Sequence, residues 1–349
     1  MKPASNNKKG VNLDRLVSAI VVNWNGMQFL PTCLDSVFKQ SYKNIEVIVV
    51  DCASKDESVE FIRKNFPLTK IIELKEDKGP PYAINLAARQ AEGDYILILN
   101  NDVILPEDML SVLVKEMKKD ENCVINPVEL SWEREYRQAG CTGPWISHQL
   151  YKRFKQPGQV PSYPSTACCL VSKGVLKRIP LNENLFIYED TEWGWRLHLK
   201  GIKLKVLLSA SFLHKCEGTI IGDSPKSAFI YGRTPLATLF ICFKWPTLSI
   251  LLPFLLINYY LNPKRIGYLL VKRRLVPFLK GFFSFFEKLP LFIQDRKKVQ
   301  KNRKINDLEL LKIIIGSFDF QKNAKKKWDI LNKKSEPKDT KEQRVTVWS

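Results

Sequence analysis

Two acidic runs carry the chemistry that this sequence could do. Asn100-Asn101-Asp102 closes the apolar stretch Tyr95–Leu99, and Glu189-Asp190-Thr191-Glu192-Trp193-Gly194-Trp195-Arg196 opens a later stretch of helical spacing. A carboxylate just past a strand end can hold a hard divalent cation against a nucleotide diphosphate and so neutralise a leaving group. A carboxylate at the start of a helix can take the proton from an attacking hydroxyl. Asp102 is therefore the candidate metal ligand and Asp190 the candidate general base. Each has a plainer alternative, because aspartate is also a good helix cap. Taken together, the two sites suit transfer of a sugar from a nucleotide to a hydroxyl.

The neighbouring residues take supporting roles. Repulsion from Glu189 and Glu192 would raise the proton affinity of Asp190. Glu189 is expected to orient the acceptor, and Glu192 to be a solvated helix charge. Trp193 and Trp195 could stack on the acceptor or pack within the helix, and Arg196 could pair near Asp190 or with phosphate. Asp51 ends an apolar run and could accept a hydrogen bond from a nucleotide base. Asn23, Asn25 and Asn101 fall at the ends of similar runs, where they would line a nucleotide site. His214 ends a late strand and is a possible second metal ligand beside Asp102. Arg233, with Lys215 and Tyr231, could reach the diphosphate from the C-terminal side.

The elements that must position these residues alternate. Val17–Asn23, Ile45–Val50, Ile71–Leu74 and Tyr95–Leu99 are continuous apolar runs, the pattern of strands buried on both faces. Between them lie stretches of helical spacing: Leu30, Leu34, Val37 and Phe38; a capping-box sequence at Ser54 to Glu57; and a Pro80-Pro81 helix start running to Ala91. Four strand–helix alternations with short loops predict a doubly wound, mainly parallel sheet. Ligands of such sheets lie beyond the carboxyl ends of the strands. Residues 128–165 read as an irregular substrate loop region. Cys168–Ser172, Ile202–Leu207 and Ser211–His214 read as further strands, and Asp190–Lys200 as a helix.

After Pro235 the character changes. Leu236–Leu261 is apolar but broken by Lys244, Pro246, Pro253 and Asn258, and its longest uncharged run, Trp245–Leu261, has 17 residues. That is short for a membrane span. Phe278, Phe282, Phe283, Phe285 and Phe286 follow, between Lys272-Arg273-Arg274 and Arg296-Lys297-Lys298. Apolar faces flanked by cations predict helices lying in an anionic membrane interface. From Asn262 onward there are 23 Lys and Arg against 9 Asp and Glu, so +14 of the total +19 sits in this last quarter. A nucleic-acid partner is not expected, because such a binder would need basic residues in the core domain too. The 8 cysteines form no C-x-x-C pair, which argues against structural zinc. The N-terminus is polar and Lys-rich without a secretory signal, so the cytosolic side of the membrane is the expected location.

The whole constellation resembles the family-2 glycosyltransferases, most of all their rhamnosyltransferase-like branch. The resemblance rests on Val21-Val22-Asn23-Trp24-Asn25-Gly26, Val49-Val50-Asp51 with Ser54-Lys55-Asp56, Gly79 with Asn85, Gly93 to Asp102, and Glu189-Asp190 with Trp193-Gly194-Trp195-Arg196. It covers roughly residues 16–235 and implies a GT-A fold, a UDP-, dTDP- or GDP-sugar donor, Mg or Mn, and inversion at the anomeric carbon. It assigns Asp51 to the nucleoside, Asp102 to the metal and Asp190 to the base, and it strengthens His214 as a metal contact. The basic, aromatic C-terminus resembles the membrane-attaching tails of members that act on lipid-linked glycans, which points to polysaccharide biosynthesis at the cell envelope. Two departures stand out: D-x-D is reduced to Asn100-Asn101-Asp102, and Lys78-Gly79-Pro80-Pro81 replaces the commoner glycine-rich loop. The rival readings are a nucleotidyltransferase, which would want a cation in the loop Asn23–Gln28, and an inactive glycan-assembly scaffold. The implied organisation is a disordered 1–15, a catalytic domain 16–235, a helical membrane-associating region 236–300 and a basic tail 301–349.

Overall fold

The fold is that of a computed structural model, which describes residues 14–139, 158–186, 189–216 and 224–333. Nine strands form one sheet: β1 (Val17–Asn23), β2 (Ile45–Asp51), β3 (Lys70–Glu73), β4 (Tyr95–Asn100), β5 (Val103–Ile104), β6 (Cys123–Leu130), β7 (Tyr136–Ala139), β8 (Cys168–Ser172) and β9 (Lys203–His214). Their order is β3-β2-β1-β4-β8-β6-β9-β5, with β7 paired to β6. The first four strands are parallel, as the apolar runs predict, and β8 joins β4 antiparallel. The sheet is therefore mixed, with a parallel half formed by β1 to β4.

Strand alternation explains the uninterrupted apolar runs. Val17, Ala19 and Val21 of β1 enter one core with Val47, Val49, Leu97 and Leu99, whereas Ile20 enters the opposite core with Ile48, Val50, Ile96 and Ile98. Each such side chain contributes about 1.5–3 kcal/mol on burial. Helices α1 (Leu30–Phe38), α2 (Ser58–Asn65) and α4 (Met109–Met117) close the first face; α3 (Pro80–Gln90), α5 (Lys173–Arg178) and α6 (Glu189–Leu199) close the second.

Six further helices follow: α7 (Pro225–Cys242), α8 (Trp245–Leu255, continued by a π-helical turn Leu256–Tyr260), α9 (Pro263–Val271), α10 (Leu275–Glu287), α11 (Leu289–Gln300) and α12 (Asp307–Lys333). They share a third core, to which Leu185 and the α6 residues Trp195 and Leu199 belong. Among the described residues, no helix is long and apolar enough to cross a membrane.

Several expectations need correction. Ser54 does not cap α2: its hydroxyl bonds to Asp51, and Asp56 accepts from Ser58 N instead. Residues 128–130 and 136–139 are strand, disguised by a register shift between Glu129 and Leu130. The two late strands are one, β9, whose pairing with β6 shifts between Pro127 and Val128. The boundary at 235 falls inside α7, because Pro235 is accommodated within that helix. The tail from 301 contains α12, which buries Leu310 and Ile314. The expected N-terminal disorder and the middle of the substrate loop, residues 140–157, lie outside the described residues.

Candidate active site

An open cleft of about 310 Å3 lies past the carboxyl ends of β1, β2 and β4. Trp24, Cys52, Asp77, Asn101, Asp102, Thr166, Phe186, Glu189, His214 and Cys216 are among its lining residues. The sheet brings Asp102 and His214 together. β5 and β9 are antiparallel with Val103 opposite His214, and Lys215 N donates to Asp102 O at 3.1 Å. As a result His214 Nε2 lies 3.2 Å from Asp102 Oδ1.

The other imidazole nitrogen, Nδ1, is 3.0 Å from Glu129 Oε1, a buried carboxylate on β6. Burial works against charge on His214, but hydrogen bonds with Asp102, Cys216 and Glu129 outweigh it and push its pKa up to about 12. With no cation the ring therefore holds a proton between the carboxylates; a cation on Nε2 would displace that proton, and Glu129 would then fix the ring from behind as carboxylates do behind metal-binding imidazoles. The separation of Asp102 Oδ1 and His214 Nε2 suits two neighbouring ligands of one ion at about 2.0–2.1 Å each. A carboxylate oxygen and an imidazole nitrogen facing an open cleft are donors that a divalent transition-metal cation accepts together. Among the described residues, the group of three donors close enough to share an ion is Glu129, His214 and Cys216, with donor atoms within 4.8 Å of one another. That group uses Nδ1, which Glu129 already engages, so the face toward Asp102 is the better cation site.

Glu189 and Asp190 begin α6. Glu189 lines the cleft and accepts from Thr166 Oγ1 at 3.1 Å. Asp190 is half-buried beside it, and its Oδ1 accepts from Thr191 N at 2.6 Å. Burial raises the pKa of both carboxyls, helped by the like charge of Asp190 beside Glu189 and of Glu129 near Asp190. Raised carboxyl groups beside an open cleft are the expected state of a base working near neutral pH.

The remaining predicted residues divide. Asn23 is fully buried: its Nδ2 donates to Asp51 Oδ1 at 2.9 Å, and its Oδ1 accepts from Asn101 Nδ2 at 2.8 Å. Asp51 also accepts from Ser54 N and Ser54 Oγ, at 2.9 and 2.6 Å. Asn25, at φ 47°, accepts from Lys55 N. These residues staple the β1 and β2 loops together. Asp51 is buried at the end of β2, and its bonds to Asn23 and Ser54 organise the two loops. Gly26 is required here, since an added Cβ would lie 2.1 Å from Asn101 Nδ2 and 2.2 Å from Asn23 Oδ1.

The acceptor assignments on α6 are corrected by its helical turn. Trp193 is fully buried in the core and donates Nε1 to Ile179 O at 2.7 Å. Trp195 is buried against Phe243 with ring centroids 5.7 Å apart. Glu192 is not solvated: it is fully buried, and Arg196 Nε sits 2.8 Å from both its oxygens. None of Trp193, Trp195 and Arg196 lines the cleft; they lock α6 in place. Arg233 is also buried away from the cleft, stacked over the Phe229 ring at 5.5 Å.

Sequence reasoning missed Glu129, Trp24, Asp77, Thr166 and Cys216. Glu129 left a signal, as a charge within the otherwise buried strand β6. Asp77 accepts from Gly79 N at 3.0 Å and pairs with Lys226 Nζ at 3.0 Å, and Lys226 also lies over the Phe186 and Trp24 rings at 4.2 and 5.6 Å. The first turn of α7 thereby braces three residues of the cleft wall.

Comparison with known proteins agrees with this layout. The model of glycosyl transferase family 2 matches residues 18–179. Glycosyltransferase GlyG of Streptococcus pneumoniae is 31% identical over 118 residues, covering 32% of this chain and 39% of that protein. The poly-beta-1,6-N-acetyl-D-glucosamine synthase of Staphylococcus aureus is 23% identical over 219 residues, 57% of this chain and 50% of that protein. The chain thus spans half or less of the curated relatives it matches here. Among solved structures, the mannosyltransferase PcManGT from Pyrobaculum calidifontis, in complex with GDP-Man and Mn2+, superposes with a TM-score of 0.53 at 16% identity, covering 88% of each chain.

Proposed function

Residues 18–179 form a family-2 glycosyltransferase domain of the GT-A fold, and on that footing we propose that the chain moves a sugar, with inversion, from a nucleotide-diphosphate sugar to a hydroxyl of a glycan or lipid-linked acceptor. One observation carries the reading: Asp102, His214 and Glu189 line a single cleft, with Asp190 next to Glu189 at the start of α6. A divalent cation held by Asp102 and His214 would stabilise the charge of the departing diphosphate. The solved mannosyltransferase, which binds GDP-Man and Mn2+, supports that donor class.

The chain's own groups do the rest. Trp24, Cys52 and Asp77 form the end of the cleft near β2, where the nucleoside would lie. Burial pushes the Cys52 thiol up to about 12, so it stays a neutral wall. Glu129 holds the His214 ring so that Nε2 faces the cleft. Asp190 takes the proton from the acceptor hydroxyl. Glu189 is engaged by Thr166, and Asp190 accepts from Thr191 N of its own helix through Oδ1. The lining position of Glu189 favours a second reading in which it is the base and Asp190 the neighbour that raises its proton affinity.

The helical region is proposed to hold the enzyme on the cytosolic face of an anionic membrane. Trp245, Ile250, Val271, Phe283 and Phe286 are exposed on it, and Val271 is 82% exposed. Lys272, Arg273 and Lys280 lie among them in sequence, and Lys297 follows.

Calorimetric titration of UDP, dTDP and GDP, each with and without Mn2+, tests the donor site. One nucleotide should bind more tightly with the cation, and Asp102→Ala should remove that cation dependence. Equal cation dependence in wild type and variant would move the ligand elsewhere.

A further inference from the structure

The imidazole of His214 has two working faces. Nε2 meets Asp102 in the cleft, and Nδ1 meets Glu129 Oε1 at 3.0 Å. A third donor stands at the Nδ1 face. Cys216 follows β9, which ends at His214, and has left-handed backbone at φ 60°. Its Sγ is 3.2 Å from His214 Nδ1 and 3.4 Å from Glu129 Oε1. Glu129 and His214 are buried, only 4 and 9% exposed. Cys216 is the one exposed cysteine among those described, and it lines the cleft. The cleft therefore gives an ion access to this group through its thiol member.

The three donors form a triangle suited to one tetrahedral ion. Their separations are 3.0, 3.2 and 3.4 Å. Zinc binds imidazole nitrogen at about 2.0–2.1 Å, carboxylate oxygen at about 2.0–2.2 Å and thiolate at about 2.3 Å. Tetrahedral ligands at those lengths stand about 3.4–3.6 Å apart, so a small outward shift of the three atoms admits the ion. Three protein ligands with one open position is also the pattern of zinc sites that meet solvent or a small ligand. Sulfur decides which ion this is. Thiolate favours zinc and softer ions, whereas Mg and Mn prefer oxygen. The Asp102 face, which has no sulfur, remains the better site for those harder ions.

We propose that Glu129, His214 Nδ1 and Cys216 bind a thiophilic divalent cation such as Zn2+, and that this ion withdraws His214 from the cation site in the cleft. The second half rests on the reading of Asp102 and His214 as that cleft site. Binding replaces two protons, one on the thiol and one on Nδ1, and both pass to water. The ring keeps its other proton on Nε2, because a neutral imidazole has one lone pair to give. Nε2–H then donates to Asp102 and offers nothing to a second cation. Glu129 passes from orienting the ring to holding the zinc. A cation in the cleft keeps Asp102 but loses its nitrogen ligand, so Zn2+ and Mn2+ compete for His214 from opposite faces.

The test uses the full chain, stripped of metal with a chelator. Co2+ serves as the probe, because thiolate bound to Co2+ gives an intense near-ultraviolet absorption that oxygen and nitrogen ligands do not. One equivalent of Co2+ should produce that band in wild type, and added Zn2+ should abolish it. Cys216→Ser, at an exposed position, should lack the band. Loss of an outer partner costs about 10–100-fold in metal affinity, so loss of this direct ligand should weaken Zn2+ binding by about 100-fold or more. Mn2+ binding, followed by the magnetic resonance signal of the free ion, should weaken by about tenfold or more when Zn2+ is present in wild type. The same Zn2+ should leave Mn2+ binding to Cys216→Ser unchanged. A Co2+ band retained in Cys216→Ser, zinc affinity unchanged in that variant, or wild-type Mn2+ binding that zinc does not alter would overturn the proposal. Asp102→Ala separates the two readings. It should keep the Co2+ band and lose the Mn2+ dependence of nucleotide binding. A band kept with that dependence also kept removes the cleft site, and with it the competition, but leaves the zinc site.

Discussion

His214 stands between two carboxylates with different tasks. Asp102 Oδ1 and Nε2 face the cleft together, while Glu129 holds Nδ1 from behind at 3.0 Å. A ligand held in this way needs its orienting partner almost as much as its own nitrogen. Glu129→Gln keeps the shape but removes the charge, and loss of such an outer partner typically costs about 10–100-fold in metal affinity. Mn2+-dependent nucleotide binding should fall by that order while the melting temperature stays close to wild type. Unchanged Mn2+ affinity in a folded Glu129→Gln protein would show that the ring is oriented by something else. The positions of Asp102, His214, Glu189 and Asp190 at or next to the ends of elements were legible in the sequence. Glu129 was not, because its importance comes from a strand pairing that only the folded sheet creates.

At the scale of elements, the loops after β1 and β2 are bound into one unit by Asn23, Asp51, Ser54 and Asn101. Gly26 packs against that unit with no room for a side chain. Gly26→Ala should push apart the Asn23–Asn101 bond and cost about 1–3 kcal/mol of stability. Thermal unfolding measures the loss, and nucleotide affinity should fall with it, since Asn101 and Asp102 share the displaced turn. A Gly26→Ala protein as stable as wild type would mean that the loop yields more freely than these bonds imply. The strands β1 to β4 and their helices were readable from period and apolar content alone. The role of α6 was not. Its tryptophans and Arg196 suggested ligand contacts by composition, but the helix turn sends Trp193 and Trp195 into two cores and pairs Arg196 with a buried Glu192. Spacing gives which residues share a face; it does not give which face meets the cleft.

For the whole molecule, the decisive feature is the core shared by α6 and the C-terminal helices. Leu185, Trp195 and Leu199 pack there with residues of α7 to α12, and Asn182 and Asn184 donate to Asp295 Oδ2 at 3.1 and 2.9 Å. The helical region is thus part of the support of α6, whose first residues are the Glu189–Asp190 pair. A chain cut before Ser224 should expose that core and fail to give a folded, nucleotide-binding domain, rather than release a free catalytic domain from membranes. Recovery of a soluble truncated domain with intact nucleotide affinity would contradict this. Of the apolar side chains that suggested a membrane surface in the sequence, Trp245, Ile250, Val271, Phe283 and Phe286 are exposed in the folded chain. The helix boundaries did not hold, because prolines at 235 and 253 lie inside helices instead of ending them.

The most direct measurement is turnover by Asp190→Asn and Glu189→Gln, each assayed with the sugar of whichever nucleotide binds and with affinity for that nucleotide measured separately. Loss of a general base costs on the order of 10²–10⁴ in rate. Asp190→Asn should lose turnover by that order with nucleotide affinity nearly unchanged, and Glu189→Gln should lose less. Because burial raises both carboxyls, wild-type turnover should climb with pH through a limb above the ordinary carboxylate range, and that limb should be missing from the residual rate of Asp190→Asn. If Glu189→Gln is the variant that collapses, the base is Glu189. If both folded variants turn over like wild type, the carboxylate pair at the start of α6 is not the base, and the proposed mechanism is wrong.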